Sequence, residues 1–164
     1  MEQQMPILSV AIIGSFRQHY DRVVQVIHEF RGAGWSVTSP VGADVIEPDI
    51  QFVRFESDNP EHSDEEIQTL TLKNIFSADL VYVVCPGGYI GRTTCYEVGR
   101  IIQARRPIYF SEKPKDLPIS VGDSFLVSVQ DLVSQATKGI FPVWLFGKGD
   151  GVLAVAEREL VNHD

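Results

Sequence analysis

The feature that most constrains this chain is an alternation. Short, nearly continuous apolar runs such as ILSVAIIG (7–14) and LVYVVC (80–85) are separated by segments whose apolar side chains return at helical spacing. A run with no polar face suits a strand covered on both sides, and a helical period suits a helix laid against one face. Asp21 is placed to cap a first helix over about 21–33, carrying Val23, Val24, Ile27 and Phe30 inward. WSVTS (35–39) reads as a second strand, stopped by Pro40, which has no N–H for a ladder. Ser63 and Glu66 form an S-x-x-E capping box ahead of a helix through about Ser77, with Ile67, Leu70, Ile75 and Phe76 as its apolar positions. Leu80–Cys85 is the third strand, about Thr94–Ala104 the third helix, PIYF (107–110) the fourth strand and SFLVSV (124–129) a fifth. QDLVSQATKG and GVLAVAERELV supply two further helices.

The expectation is therefore an α/β fold of flavodoxin/Rossmann-like type. A parallel five-stranded sheet carries helices on both faces, joined by right-handed crossovers. At 164 residues and 44% hydrophobic, the chain suits a single domain over 1–164 with a sizeable core. Its 22 acidic and 14 basic side chains give a net charge of −8, so no chain-wide positive field draws in nucleic acid or an anionic membrane. The apolar runs are far short of a bilayer span, and Met1–Pro6 lacks the basic-then-apolar order of a secretory signal. Cys85 and Cys95 lie ten apart without metal-ligand spacing, which fits neither a zinc site nor a disulfide scaffold. A reducing cytoplasm is the expected location, with neither metal nor cofactor required.

Ligands of such sheets sit beyond the carboxyl ends of the strands, which singles out the loops GSFRQHY and PGGYIGRTT. In the first, Gly14 permits a sharp turn, Ser15 offers a hydroxyl and Arg17 a fork of donors matched to phosphate. An ordinary strand-to-helix loop with a solvated Arg explains the same residues. Neither GxGxxG nor GxxxxGK[ST] is present, and GKGDG (147–151) is a turn. In the second loop, Pro86, Gly87, Gly88 and Gly91 remove bulk and Thr93 and Thr94 add hydroxyls at a helix start, where anions are favoured. Glu97 has two readings. Thr94 and Glu97 form a T-x-x-E capping box, and a carboxylate in a first helical turn is also held ionised, fit to act as a nucleophile. His28, His62 and His163 read as surface residues, with His19 the exception. Cys95 reads as packing. Tyr89 and Tyr96 suit either base stacking or wall packing. The stretch 41–64, with a short strand IQFVRF and the acidic SDNPEHSD, reads as an insertion or lid.

GSFR after the first strand, with ADLVYVV and CYEVGR followed eight residues on by IYF, resembles the nucleoside 2-deoxyribosyltransferase family. Its nucleoside 5′-monophosphate N-glycosidase branch is the most similar, over about residues 8–110. The resemblance implies that Glu97 is the nucleophile, attacking C1′ of the sugar to form a glycosyl-glutamate ester. It places Gly14, Ser15, Phe16 and Arg17, with Gly88, Tyr89, Gly91, Arg92, Thr93 and Thr94, around a small-molecule nucleotide. It also implies a homodimer. The chain departs from the family's pattern at Thr71, which stands where an aspartate is expected eight residues before Asp79. Asp79, Glu66 or Asp64 is left to assist the leaving group, and Asp79 is taken as the second catalytic residue. The PGGYIGRTT loop is also longer than the branch's. Two alternatives stand beside this one. A TIR-like NAD glycohydrolase is suggested by TTCYE, and a non-catalytic nucleotide-binding or sensing module by Thr71. The PGG-x-GT-x-x-E spacing of cytokinin-activating phosphoribohydrolases fails here, because Ile90 and Arg92–Thr94 intervene.

Overall fold

The computed structural model describes residues 8–41 and 59–161. Within them the chain runs β1 (Ser9–Gly14), α1 (Phe16–Gly32), β2 (Ser36–Ser39), α2 (Asp64–Phe76), β3 (Leu80–Val84), α3 (Arg92–Gln103), β4 (Ile108–Phe110), α4 (Val129–Thr137) and α5 (Val152–Val161). The four strands lie in the order β2-β1-β3-β4, every neighbouring pair parallel. This is a mixed α/β architecture consistent with a Rossmann-like fold.

Strand alternation divides the core into two layers. Val10 and Ile12 of β1, with Leu80, Tyr82 and Val84 of β3, point toward α1 and α4, where Val23, Val26, Ile27, Phe30 and Leu132 meet them. Ala11, Ile13, Val81 and Val83 point the other way, onto Leu72 and Ile75 of α2 and Val98 and Ile101 of α3. Because each of these strands is covered on both sides, its sequence is apolar throughout rather than alternating.

Three expectations change. SFLVSV does not form a fifth strand: Asp123–Phe125 is a 3₁₀ turn, and only Leu126 makes a bridge to Phe110. Extension stops there because the Ser128 side chain accepts from the Asp131 N–H and starts α4 at Val129. The first helix begins at Phe16 rather than about Asp21, since Ser15 is its cap and accepts from the Gln18 N–H. SFRQHY is therefore mostly helical, with His19 a non-helical residue inside α1 (φ −124°, ψ 30°). The third helix starts at Arg92, with Gly91 as its N-cap, so the T-x-x-E box of Thr94 and Glu97 does not form. By contrast, the Ser63–Glu66 box is present in both directions, Ser63 N–H to Glu66 at 2.7 Å and Glu66 N–H to Ser63 at 3.2 Å. The expected strand IQFVRF and most of the expected lid, residues 42–58, lie outside the described residues. Among the described residues no helix is long and apolar enough to cross a membrane, and no cluster of His, Cys, Asp or Glu has the makings of a metal site.

Candidate functional site

The carboxyl ends of β1 and β3 carry most of the sequence-predicted residues. Gly14 closes β1 against the end of β3 so tightly that a Cβ would come within 2.5 Å of the Val84 carbonyl oxygen. Ser15 caps α1, Phe16 is half-buried against the α1-side core, and Arg17 projects from the first turn as an exposed side chain without a partner among the described residues. Beside these residues opens a cavity of about 700 Å³, lined by Arg17, His19 and Arg22 of α1, Pro86 after β3, Ser111 after β4 and Ser128 at the start of α4. That volume falls within the usual range for small-molecule sites, roughly 300–1,000 Å³.

The loop after β3 departs from its expected role. Gly88 is buried at φ 83°, and a Cβ there would meet the Lys113 carbonyl oxygen at 2.6 Å, so glycine is needed for both backbone and space. The loop's amides are already engaged. The Glu112 carboxylate accepts from the Gly87 N–H at 3.0 Å, and the Asp116 carboxylate accepts from Ile90 at 3.1 Å and from Gly91 at 3.1 Å. An anion thus sits at the N-terminal end of α3, but it belongs to the chain itself. Arg92 is exposed, Thr93 half-buried and Thr94 buried. Tyr89 meets the His19 ring edge-on at 5.9 Å between centroids and lies over Gly91.

Glu97 occupies the second turn of α3 and is only 6% exposed. Among the described residues its sole hydrogen bond is a long one, 3.4 Å from the Gln68 side-chain amide on α2. Burial raises its carboxyl from 4.5 to about 7, and the Gln68 amide offsets part of that rise. Desolvation therefore prevails over the helix dipole, whose pull fades beyond the first turn. The expectation that the dipole keeps this group charged fails for that reason. Glu97 does not line the cavity beside Arg17.

Asp79 is brought to a different place altogether. It precedes β3, at the amino edge of the sheet, and is exposed. Its carboxylate accepts from the Ser9 N–H at 2.8 Å and from the Ser9 hydroxyl at 3.0 Å, tying the starts of β1 and β3 together. The structure does not gather Asp79 with Glu97. Thr71 is half-buried on α2, one helical turn after Gln68. Of the residues that sequence reasoning passed over, Gln68 is reachable by helical spacing from Thr71. Glu112 and Asp116 carry no local signal, since each meets amides 25 or 26 positions away.

Fold and site together define a parallel α/β chain whose ligand cleft, if used, opens at the carboxyl edge of its sheet. No family model, curated protein or solved structure matches the chain.

Proposed function

We propose that the chain binds a nucleoside 5′-monophosphate at the carboxyl edge of the sheet and cleaves its base–sugar N-glycosidic bond through Glu97. The observation that carries this reading is the state of Glu97: a buried carboxylate with, among the described residues, one long hydrogen bond and no ion pair. A buried carboxyl of purely structural purpose is normally paired or densely hydrogen-bonded, because leaving it so costs stability. A site that needs a reactive carboxylate near neutral pH accepts that cost.

In the reaction, an ionised Glu97 oxygen attacks C1′ and the C1′–N bond breaks. The base leaves with the bonding electron pair and takes a proton from water. A second water then hydrolyses the glycosyl ester, releasing pentose 5-phosphate and restoring the carboxylate. With another base in place of that water, the same ester gives transfer. No described carboxylate within hydrogen-bond distance of Glu97 serves as proton donor, so the reading favours substrates whose base departs readily. A homodimer in the cytoplasm belongs to the same reading.

Chromatographic detection of free base across ribo- and deoxyribonucleoside 5′-monophosphates, with NAD in the panel, tests it. Base release that Glu97→Gln abolishes supports the reading, and a silent panel removes it. Nicotinamide release alone would move the assignment to an NAD glycohydrolase. A second reading, a nucleotide-binding module without cleavage, is favoured by one observation: Glu97 lies outside the lining of the cavity. Ligand bound and recovered unchanged is its signature.

A further inference from the structure

The loop amides that would ordinarily receive a phosphate in such a fold are filled by Glu112 and Asp116. The cavity beside α1 offers the opposite situation. Arg17 reaches it without a partner among the described residues, while Arg22 is engaged by Glu29 at 3.4 Å. The Ser128 side-chain oxygen accepts from the Asp131 N–H at 3.1 Å, which leaves its hydroxyl proton free among the described residues to donate inward, whereas the Ser111 hydroxyl accepts from the Cys85 N–H at 2.9 Å and donates to the Cys85 Sγ at 3.7 Å. His19 also lines this cavity, and its Nε2 is buried with no hydrogen-bond partner among the described residues. A buried imidazole nitrogen left unpaired is unfavourable, since it has lost its water and gained nothing in return. The cost is borne at the one residue of α1 whose backbone leaves the helix, which places its ring against Tyr89.

We propose that His19 is a ligand-contacting, specificity-determining residue. Its Nε2 hydrogen-bonds a phosphate monoester that Arg17 holds in the cavity between α1 and α4, so the anion seat is built from side chains and not from the loop after β3. Two acidic groups, Asp21 and Glu112, also line the cavity, which selects one phosphate over a di- or triphosphate chain. The proposal deepens the nucleotide reading and rests on it for the class of ligand.

Calorimetric titration with a nucleoside 5′-monophosphate, the matching nucleoside, the matching triphosphate and inorganic phosphate tests it on the full chain. The monophosphate is expected to bind about tenfold or more tighter than the nucleoside. Arg17→Gln, a change at an exposed side chain, should erase that preference. His19→Ala should weaken monophosphate binding about tenfold and leave nucleoside binding unchanged, with His19→Gln recovering most of the loss. Asp116→Asn should leave phosphate affinity where it was. Equal affinity for nucleoside and monophosphate, absence of binding by either, or a gain in phosphate affinity on Asp116→Asn overturns the proposal. Base release read on the same samples separates it from the cleavage reading. A phosphate preference without base release removes the Glu97 chemistry alone, whereas equal cleavage of nucleoside and monophosphate removes the seat alone.

Discussion

Glu97 and Asp79 are two carboxylates on one sheet, and their settings are opposite. Asp79 stands at the amino edge in solvent, with two short hydrogen bonds from Ser9. Glu97 stands under the carboxyl side, enclosed, with a single 3.4 Å contact from an amide. Asp79 is satisfied where it is and joins two strands. Glu97 has no comparable partner among the described residues, and burial raises its pKa because the enclosed site disfavours the charged form. Edge of the sheet and degree of satisfaction, rather than residue type, set the two carboxylates apart.

The sharpest way to break this comparison is to remove each carboxylate in turn. Glu97→Gln is expected to lower base release by about 10⁴-fold or more, as loss of a covalent nucleophile does, while Asp79→Asn leaves the rate within about threefold. Comparable losses from both, measured as initial rates of base formation, would erase the distinction drawn here. Next in size is the effect of pH on stability. The folded chain keeps a proton on Glu97 between about 4.5 and about 7 that the unfolded chain has released. Stability therefore falls as pH rises through that window, by about 3 kcal/mol in all, and Glu97→Gln removes the fall. Denaturant titrations of both proteins at pH 4.5, 6 and 8 read the difference. The same ionisation should appear in kcat/KM, which rises with pH to a plateau above about 7, because the nucleophile must be charged. A profile falling through that value would make Glu97 the proton donor instead.

Smaller effects sharpen the picture. Asp79→Ala should cost about 1 kcal/mol of stability through the stranded Ser9 N–H, seen as a lower denaturant midpoint at unchanged activity. Gln68→Leu removes the one hydrogen bond that favours the charged form of Glu97, so the rise of kcat/KM should move to higher pH. An unmoved profile would detach Gln68 from the site.

The sequence announced some of this and concealed the rest for definite reasons. β1 and β3 were legible because strands enclosed on two sides have continuous apolar runs. SFLVSV carries a similar apolar content, yet Ser128 ends the strand by opening a helix, and a cap outweighs β-propensity at a single position. The start of α1 was legible in principle, since Ser15 and Gln18 have S-x-x-Q capping spacing, but the glycine before them drew attention to a loop. Position and resemblance single out Glu97, but its environment is not legible in the sequence, because enclosure between α2 and α3 depends on residues far off in the chain. The same holds for Glu112 and Asp116, whose partners are distant in sequence. Asp79 is a chemical candidate only as a stand-in, with Glu66 or Asp64, for the aspartate that Thr71 replaces; the direction of β3 puts it at the other edge.

The contact at Gly14 has a consequence of its own. With only 2.5 Å between the Val84 oxygen and the place a methyl would occupy, the missing side chain sets the gauge between the two central strands at their exits. Both loops of the cleft are hung from those exits. Any larger residue there would wedge them apart, so the dimensions of the entrance are governed by the absence of a single methyl group.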